Sequence, residues 1–358
     1  MKISIGSRII EGPWGGGNLF VVNLKNYLIE NGHEVIHDLC EKDIDVILLT
    51  DPRSRKESSS TYNHIDIIQY KKFVNPNVAV VQRINECDER KGTDYINEFY
   101  LDATKCADHV VFVSSWLRDI YLNIGLDKNK TSVIMSGADS NIFNQNKLNI
   151  YDKQKHKFVT HHWSSHHNKG FEIYTQFDEL LEKPEYKNIE FKYIGNIPEG
   201  KKFKNIIVKE PLSGIELAKE LKKSNFYLTA SKNEPSGNHH IEAAQCGLPI
   251  LYFDSGGIPE YCEGFGKKFS NDFEEKIFEI IKDYDSLKEQ LNHYPYTALI
   301  MCEEFLNKFI KIKKQKSSTK KSSSFLISNI IIFKNKFQKL MVSFFIKQKL
   351  KSLVRRYA

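Results

Sequence analysis

Residues 226–253, FYLTASKNEPSGNHHIEAAQCGLPILYF, run from one apolar, strand-length segment through a helix-length segment into another. Strands joined by a helical crossover pair in parallel, since antiparallel neighbours need only a short turn. Glu234 falls on the loop at the carboxyl end of the first strand. Ser236, Gly237 and Asn238 open the helix, where unpaired N–H groups and the helix dipole suit an anion. His239 follows, and Glu242 lies one turn inside, projecting back toward the same edge. Surface carboxylates beside a helix cap would use the same letters, but open α/β sheets bind ligands at the carboxyl ends of their strands.

The same alternation runs outward in both directions. Strands are expected at 2–6, 33–38, 44–49, 77–82, 109–113 and 131–135, and again at 158–162, 189–195, 205–209, 225–230 and 248–253. In NLFVVNLKNYLIENG, Phe20, Leu24 and Leu28 recur at helical spacing and Gly32 is the stop. Further helices are expected over 171–182, 213–222, 238–246 and 272–283. A chain of 358 residues exceeds the usual single core. The polar run 144–157 reads as a linker. The expected organisation is therefore a domain over 1–150, a second over 151–295, a closing helix over 296–312 and a tail over 313–358.

Apolar residues make up 41% and charged residues 27%, the proportions of a globular chain. The net charge of +7 is unevenly spread. Lys311–Ala358 holds 14 Lys or Arg and no acid, which leaves residues 1–310 at −7. Whole-chain basicity is thus no nucleic-acid signature, and no nucleic-acid partner is expected. In the tail, KKQKSSTKKSSS reads as a charged linker. Beyond it Leu326, Ile330, Phe333, Phe337, Leu340 and Phe344 form an apolar stripe, with Lys336, Lys339, Ser343 and Lys347 away from it. A basic amphipathic segment suits an anionic membrane surface, contacted through 325–358. The six cysteines form no CxxC pair and read as free thiols of a reducing compartment. MKISIGSRIIEG lacks the apolar run of a secretory signal, and no uncharged stretch is long enough to span a bilayer. The expectation is a cytoplasmic chain resting peripherally on the inner face of the membrane.

Two more glycine turns sit between strand and helix. GPWGGGN, Gly12 to Asn18, follows the first strand, and Gly16 and Gly17 would let backbone approach a phosphate closely; a structural tight turn is the alternative. DSGGIPEYC, Asp254 to Cys262, places a second glycine pair just past the deciding stretch. The histidines His161, His162, His166 and His167 lack tetrahedral ligand spacing, and no DxD stands among apolar strand residues, so no metal is expected.

In this order the motifs resemble the retaining glycosyltransferases of family 4. Glu234 and Glu242 match that family's E-x7-E. Gly247, Pro249, Gly256, Gly257 and Glu260 approximate its G-P strand and GG-x-x-E turn. Ile134, Gly137, Asp139 and Phe143, ending VVFVSSWLRDIYLNIGLDKNKTSVIMSGADSNIF (110–143), match its I-x-N-G-V-D-x-x-x-F turn. The resemblance covers roughly residues 1–310. It implies an α/β chain of GT-B fold, two facing Rossmann-like domains with parallel sheets, here followed by a basic amphipathic C-terminal tail. Two departures stand out. HHWSSHHNKGF keeps Lys169 before a glycine, but Ser164 stands where the family carries a phosphate-binding Arg. Where the family ends a first-domain strand with a His near the sugar, VVQRINECDERKG offers Arg83, Asn85 and Glu86. Arg83 and Asn85 are expected to line the cleft, a structural salt bridge being the alternative for Arg83.

The resemblance implies a metal-independent hexosyltransferase with no cofactor beyond its co-substrate, a nucleotide diphosphate sugar. Gly16, Gly17, Lys169, Ser236, Gly237, Asn238, His239 and Glu242 would bind this donor, and Glu234, Arg83 and Asn85 would be the catalytic residues. The sugar would pass, with retained configuration, to a saccharide or lipid-linked acceptor in surface polysaccharide synthesis. A sugar-nucleotide epimerase of the same fold, or an inactive glycosyltransferase-like scaffold, stays open at this point.

Overall fold

The computed structural model describes residues 1–10, 15–53, 58–146, 151–317 and 327–341. Its first half holds β1 (Lys2–Ile5), β2 (Glu34–Ile36), β3 (Val46–Leu49), β4 (Ala79–Ile84), β5 (His109–Phe112) and β6 (Thr131–Val133), with helices α1 (Gly16–Glu30), α2 (His64–Phe73), α3 (Asp88–Lys91), α4 (Ile96–Ala103) and α5 (Ser115–Asn123). The second half holds β7 (His156–His162), β8 (Ile189–Gly195), β9 (Ile207–Lys209), β10 (Phe226–Thr229), β11 (Ile250–Phe253) and β12 (Gly266–Phe269). Its helices are α6 (Phe171–Leu180), α7 (Gly214–Leu221), α8 (Asn238–Gln245), α9 (Ile258–Cys262), α10 (Phe273–Lys282) and α11 (Tyr284–Leu291), and α12 (Ala298–Ser317) follows. A further helix, α13, spans 327–341.

Both sheets are parallel throughout, in the orders β2-β1-β3-β4-β5-β6 and β12-β11-β10-β7-β8-β9. Each order reverses once, between β1 and β3 and between β7 and β10. At such a point the crossovers leave on opposite faces and a crevice opens at the strands' carboxyl ends. A parallel sheet must be covered on both faces, and the strand alternation provides for it. In β3, Val46 and Leu48 enter a core with Phe20 and Leu24 of α1, while Ile47 and Leu49 enter another with Tyr70, Tyr100 and Tyr121. In the second sheet Tyr227 and Ile250 pack with Ile241 of α8, and Phe226 and Leu251 pack with Phe177 and Ile277 on the other side.

The closing helix crosses back. α12 follows the second half but buries Met301, Phe305 and Phe309 in the α1 core of the first, with Phe305 edge-on to Phe20 at 5.1 Å. It also outruns its expected end. The charged linker expected from 313 begins as helix, where Lys313 meets Asp45 at 2.6 Å and Lys316 meets Asp108 at 2.8 Å. The polar run 144–157 is likewise no free linker. Gln145 donates to the Leu291 carbonyl at 3.0 Å, Tyr151 packs on Tyr284 with centroids 4.1 Å apart, and β7 starts at His156. All eleven expected strands are present, and β12 is an unforeseen twelfth. Its GKKF has no apolar alternation because it is a sheet edge, guarded by Lys267–Asp283 and Lys268–Asp254 pairs. The six cysteines are buried and unpaired. Among the described residues no helix is long and apolar enough to cross a membrane.

Truncating Phe305 removes the edge contact that seats α12. Phe305→Ala is expected to lower unfolding stability by about 3–5 kcal/mol, measured by guanidinium denaturation.

Candidate active site

The two switch points face one another, and a cavity of about 510 Å³ lies between them. Its walls come from the carboxyl ends of β4, β7 and β8, from the loop that follows β10, and from one face of α1 and the first turn of α8.

Two uncapped helix starts meet there. The N-cap of α1 is Gly15 and that of α8 is Gly237, neither offers a side-chain cap, and neither first turn holds an acid. A Cβ on Gly16 would stand 2.9 Å from the Asn238 Oδ1, so the two starts touch at that point. Their free N–H groups and summed dipoles make a site for a negative group. Gly237 has φ of +81°, and a Cβ there would press on His239, so the turn requires glycine.

Glu234 is the hub of the charges. Only 7% exposed, it accepts from Lys169 Nζ at 2.6 Å and from Arg90 Nε at 3.0 Å. Arg90, on α3, also donates from Nη1 to Glu86 at 2.8 Å, so one guanidinium ties both halves together. Burial pushes the Glu234 carboxyl up, but Lys169 and Arg90 outweigh it and hold the group well below the usual carboxylate range. The glycine pair after β11 braces it: Gly257 N–H donates to the Glu234 carbonyl at 2.9 Å, and Gly256, φ +68°, packs directly on the Glu234 backbone. Lys169 is set by Gly170, φ +77°, which lies against the Ala230 carbonyl with no room for a Cβ.

Glu242 faces a different partner, His161 Nε2 at 2.9 Å. Beneath it His162 Nε2 meets the Tyr174 hydroxyl at 2.7 Å, and His239 Nε2 meets Thr229 Oγ1 at 2.9 Å. His240 is fully buried with neither ring nitrogen hydrogen-bonded. Burial pushes the His162 and His239 imidazoles well below their ordinary value and His240 down to about 3. All three are neutral.

Residues 142–297 match the family model of glycosyl transferases group 1. The chain is 27% identical over 205 residues to an uncharacterized glycosyltransferase of Methanocaldococcus jannaschii, covering 53% of this chain and 54% of that one, so the match spans about half of the relative. Among solved structures it is similar to a sucrose-phosphate synthase from Thermosynechococcus elongatus, with a TM-score of 0.65 at 14% identity over 88% of this chain and 99% of the other. A glycosyltransferase from Rickettsia africae gives 0.65 at 13% identity, over 87% and 98% of the two chains. Anabaena HepE in complex with UDP-glucose gives 0.57 at 13%, over 89% and 98%. These likenesses bear on the fold, which is the two-lobed GT-B arrangement.

Within this two-lobed fold the residues singled out in the sequence converge. Gly16, Gly17, Arg83, Asn85, Lys169, Glu234, Ser236, Gly237, Asn238, His239 and Glu242 all line the one cavity. His166 and His167 do not; they stack on each other in solvent. Glu260 serves the fold, its carboxylate accepting from the Ser115 and Trp116 N–H groups at the start of α5. The salt bridge weighed for Arg83 is absent among the described residues. Arg90 was missed. Its only signal was the spacing of Glu86 and Arg90, four residues apart, which reads as an ordinary exposed helical pair.

The buried imidazoles make stability pH-dependent. Each is neutral when folded and takes a proton near pH ~6.5 when unfolded. Stability is therefore complete above that value and is lost as pH falls toward the folded values, at up to about 1.4 kcal/mol per pH unit for each group. Denaturant titrations between neutral and mildly acidic pH should show this slope, reduced by one proton in His240→Leu.

Proposed function

We propose that the chain is a retaining, family 4-type glycosyltransferase that uses a nucleotide diphosphate sugar without a divalent cation. The observation that carries this is the convergence on one cavity of two uncapped helix starts, two cations and the Glu234–Glu242 pair, the acids, Lys169 and the start of α8 lying in the stretch that matches the glycosyl transferases group 1 model. The donor diphosphate lies against the starts of α1 and α8, within reach of Lys169. Arg90 supplies, from the opposite half, the second cation that Ser164 does not. Glu242 takes the nucleoside ribose, and Glu234 orients the sugar hydroxyls. The acceptor hydroxyl oxygen bonds to the anomeric carbon on the face the diphosphate leaves. The C–O bond to the diphosphate breaks, the electron pair departs with it, and the acceptor proton passes to a leaving-group oxygen. The site's contribution is electrostatic: fixed dipoles and cations meet the charge as it develops. Anabaena HepE, of like fold, is a UDP-glucose complex.

Thermal-shift screening with UDP, GDP and ADP tests the reading. One of them should add about 2.7 kcal/mol at concentrations near 100 times its Kd, and Lys169→Met should remove most of that gain. No response to any nucleoside diphosphate would overturn it. Glu234→Gln, which keeps the side chain's shape beside its two cations, should bind the nucleotide yet lower transfer roughly 100-fold.

We also propose that α13 seats the enzyme on an anionic membrane bearing a lipid-linked acceptor for polysaccharide assembly. The helix is fixed on the first half through one face, with Ile332 in its core, Asn335 donating to the Leu39 carbonyl at 2.9 Å and Lys334 to Gln69 at 2.7 Å. The anticipated stripe faces outward, with Phe333 72% and Leu340 68% exposed beside Ile330 and Phe337. Leu326, Ser343, Phe344 and Lys347 lie outside the described residues. Flotation with phosphatidylglycerol-rich vesicles should recover the full chain, and Phe333→Glu with Phe337→Glu should cut recovery about tenfold or more. Equal binding by that variant would exclude the stripe.

A further inference from the structure

Four of the charged side chains that line the cavity, Arg90, Lys169, Glu234 and Glu242, have side-chain partners, and Asp139 accepts from the Asn141 N–H. Glu234 and Glu86 are met by Lys169 and Arg90, and Glu242 by His161. Arg83, on β4, is 6% exposed and lines the same cavity. Its guanidinium lies over the Phe20 ring at 4.1 Å, and no residue of the described chain accepts a hydrogen bond or forms an ion pair with it. The ionisable groups that act on its charge are the phenols of Tyr261 and Tyr100, which burial keeps neutral, Tyr261 being pushed up to about 12. Burial lowers Arg83 itself only to about 10, so it remains a cation at neutral pH.

A desolvated cation without a counter-charge costs stability, and a cation–π contact recovers only part of it. A guanidinium fork with no acceptor in the described chain, on a residue that lines a ligand cavity, fits a planar or tetrahedral anion. The position assigns the anion to one substrate. The donor diphosphate already has Lys169, Arg90 and the two helix starts; Arg83, at the end of β4 on the first-half wall, is the cation left over for the other substrate. Resting on the glycosyltransferase reading above, we propose that Arg83 receives a phosphate or carboxylate group carried by the acceptor, so that this enzyme glycosylates an anionic acceptor.

The test uses the full chain and calorimetric titration of glucose 6-phosphate and of glucuronate, each against glucose, with the nucleoside diphosphate identified above held at saturation. At least one anionic probe should bind where glucose does not. Arg83→Met should weaken it about tenfold or more, Arg83→Lys should keep part of the binding, and the nucleoside diphosphate affinity should stay within about twofold. Removal of an unmatched cation should leave the Tm of Arg83→Met no lower than that of the parent. Anion binding untouched in Arg83→Met, or neither anionic probe bound by the parent, would overturn the proposal. So would loss of nucleoside diphosphate affinity in Arg83→Met, which would place the guanidinium on the donor. Should no nucleoside diphosphate bind the parent, the donor reading fails by itself, and titration of the two anions alone still decides for or against Arg83.

Discussion

The carboxylate of Glu234, held by Lys169 of its own half and Arg90 of the other, is the interaction on which the site's geometry rests. A buried ion cluster of this kind adds little net stability, because desolvation offsets much of the attraction. Its value is positional. Removing any one member strands the others, so the three side chains can occupy only a small set of arrangements. On the proposed reading a diphosphate competes with Glu234 for the same two cations. Both are already dehydrated and aimed inward when the donor arrives. Glu234 is then released toward the sugar, and one exchange of partners does the work of gripping the leaving group and freeing the orienting acid.

That cluster can form because two different sheet orders deliver their crevices to the same place. The reversal between β1 and β3 opens beside the start of α1, and the reversal between β7 and β10 opens beside the start of α8. Neither half holds a complete site. Contacts across the crevice beyond the cluster are polar and specific: Asn168 donates to the Arg90 carbonyl at 2.8 Å, and Asn233 to the Glu89 carbonyl at 3.1 Å. The return of α12 to the first half fixes both ends of the second half to the first. The crossing therefore limits how far the lobes can part without uncovering Phe305 and Phe309.

Much of this was legible in the sequence because it is written locally. The stretch 226–253 contains its own strand, turn, helix and strand, and the glycines at 170, 237 and 256 stand at positive φ where other residues would be strained. What escaped was set by distant partners. Arg90 belongs to the site only because a loop far along the chain brings Glu234 to it. β12 is a strand only because β11 offers a free edge to its backbone. Lys313 and Lys316 looked like the start of a solvated linker until Asp45 and Asp108 gave them partners on the first sheet. The tail's stripe was readable, since its period is local; which face docks was not, since that depends on Leu39 and Gln69.

The floor of the site shows what this arrangement costs in stability. His162, His239 and His240 form a layer of neutral rings under the start of α8, with centroids of neighbouring rings 4.8–4.9 Å apart. His240 leaves two ring nitrogens without partners, a loss of about 1–3 kcal/mol for a buried polar group. An apolar side chain would avoid that loss. Neutral imidazoles, however, keep water out while leaving a polarisable surface beneath the helix start, and burial, reinforced by Lys169 nearby, keeps them from charging. In such a low-dielectric setting the fixed dipoles of α1 and α8 act on a bound diphosphate with far more force than they would in water. His240 lies beneath the cavity and its nitrogens are part of the cost of that layer, whereas the unmatched charge of Arg83 lies on the cavity wall and marks where the binding energy of a ligand is concentrated.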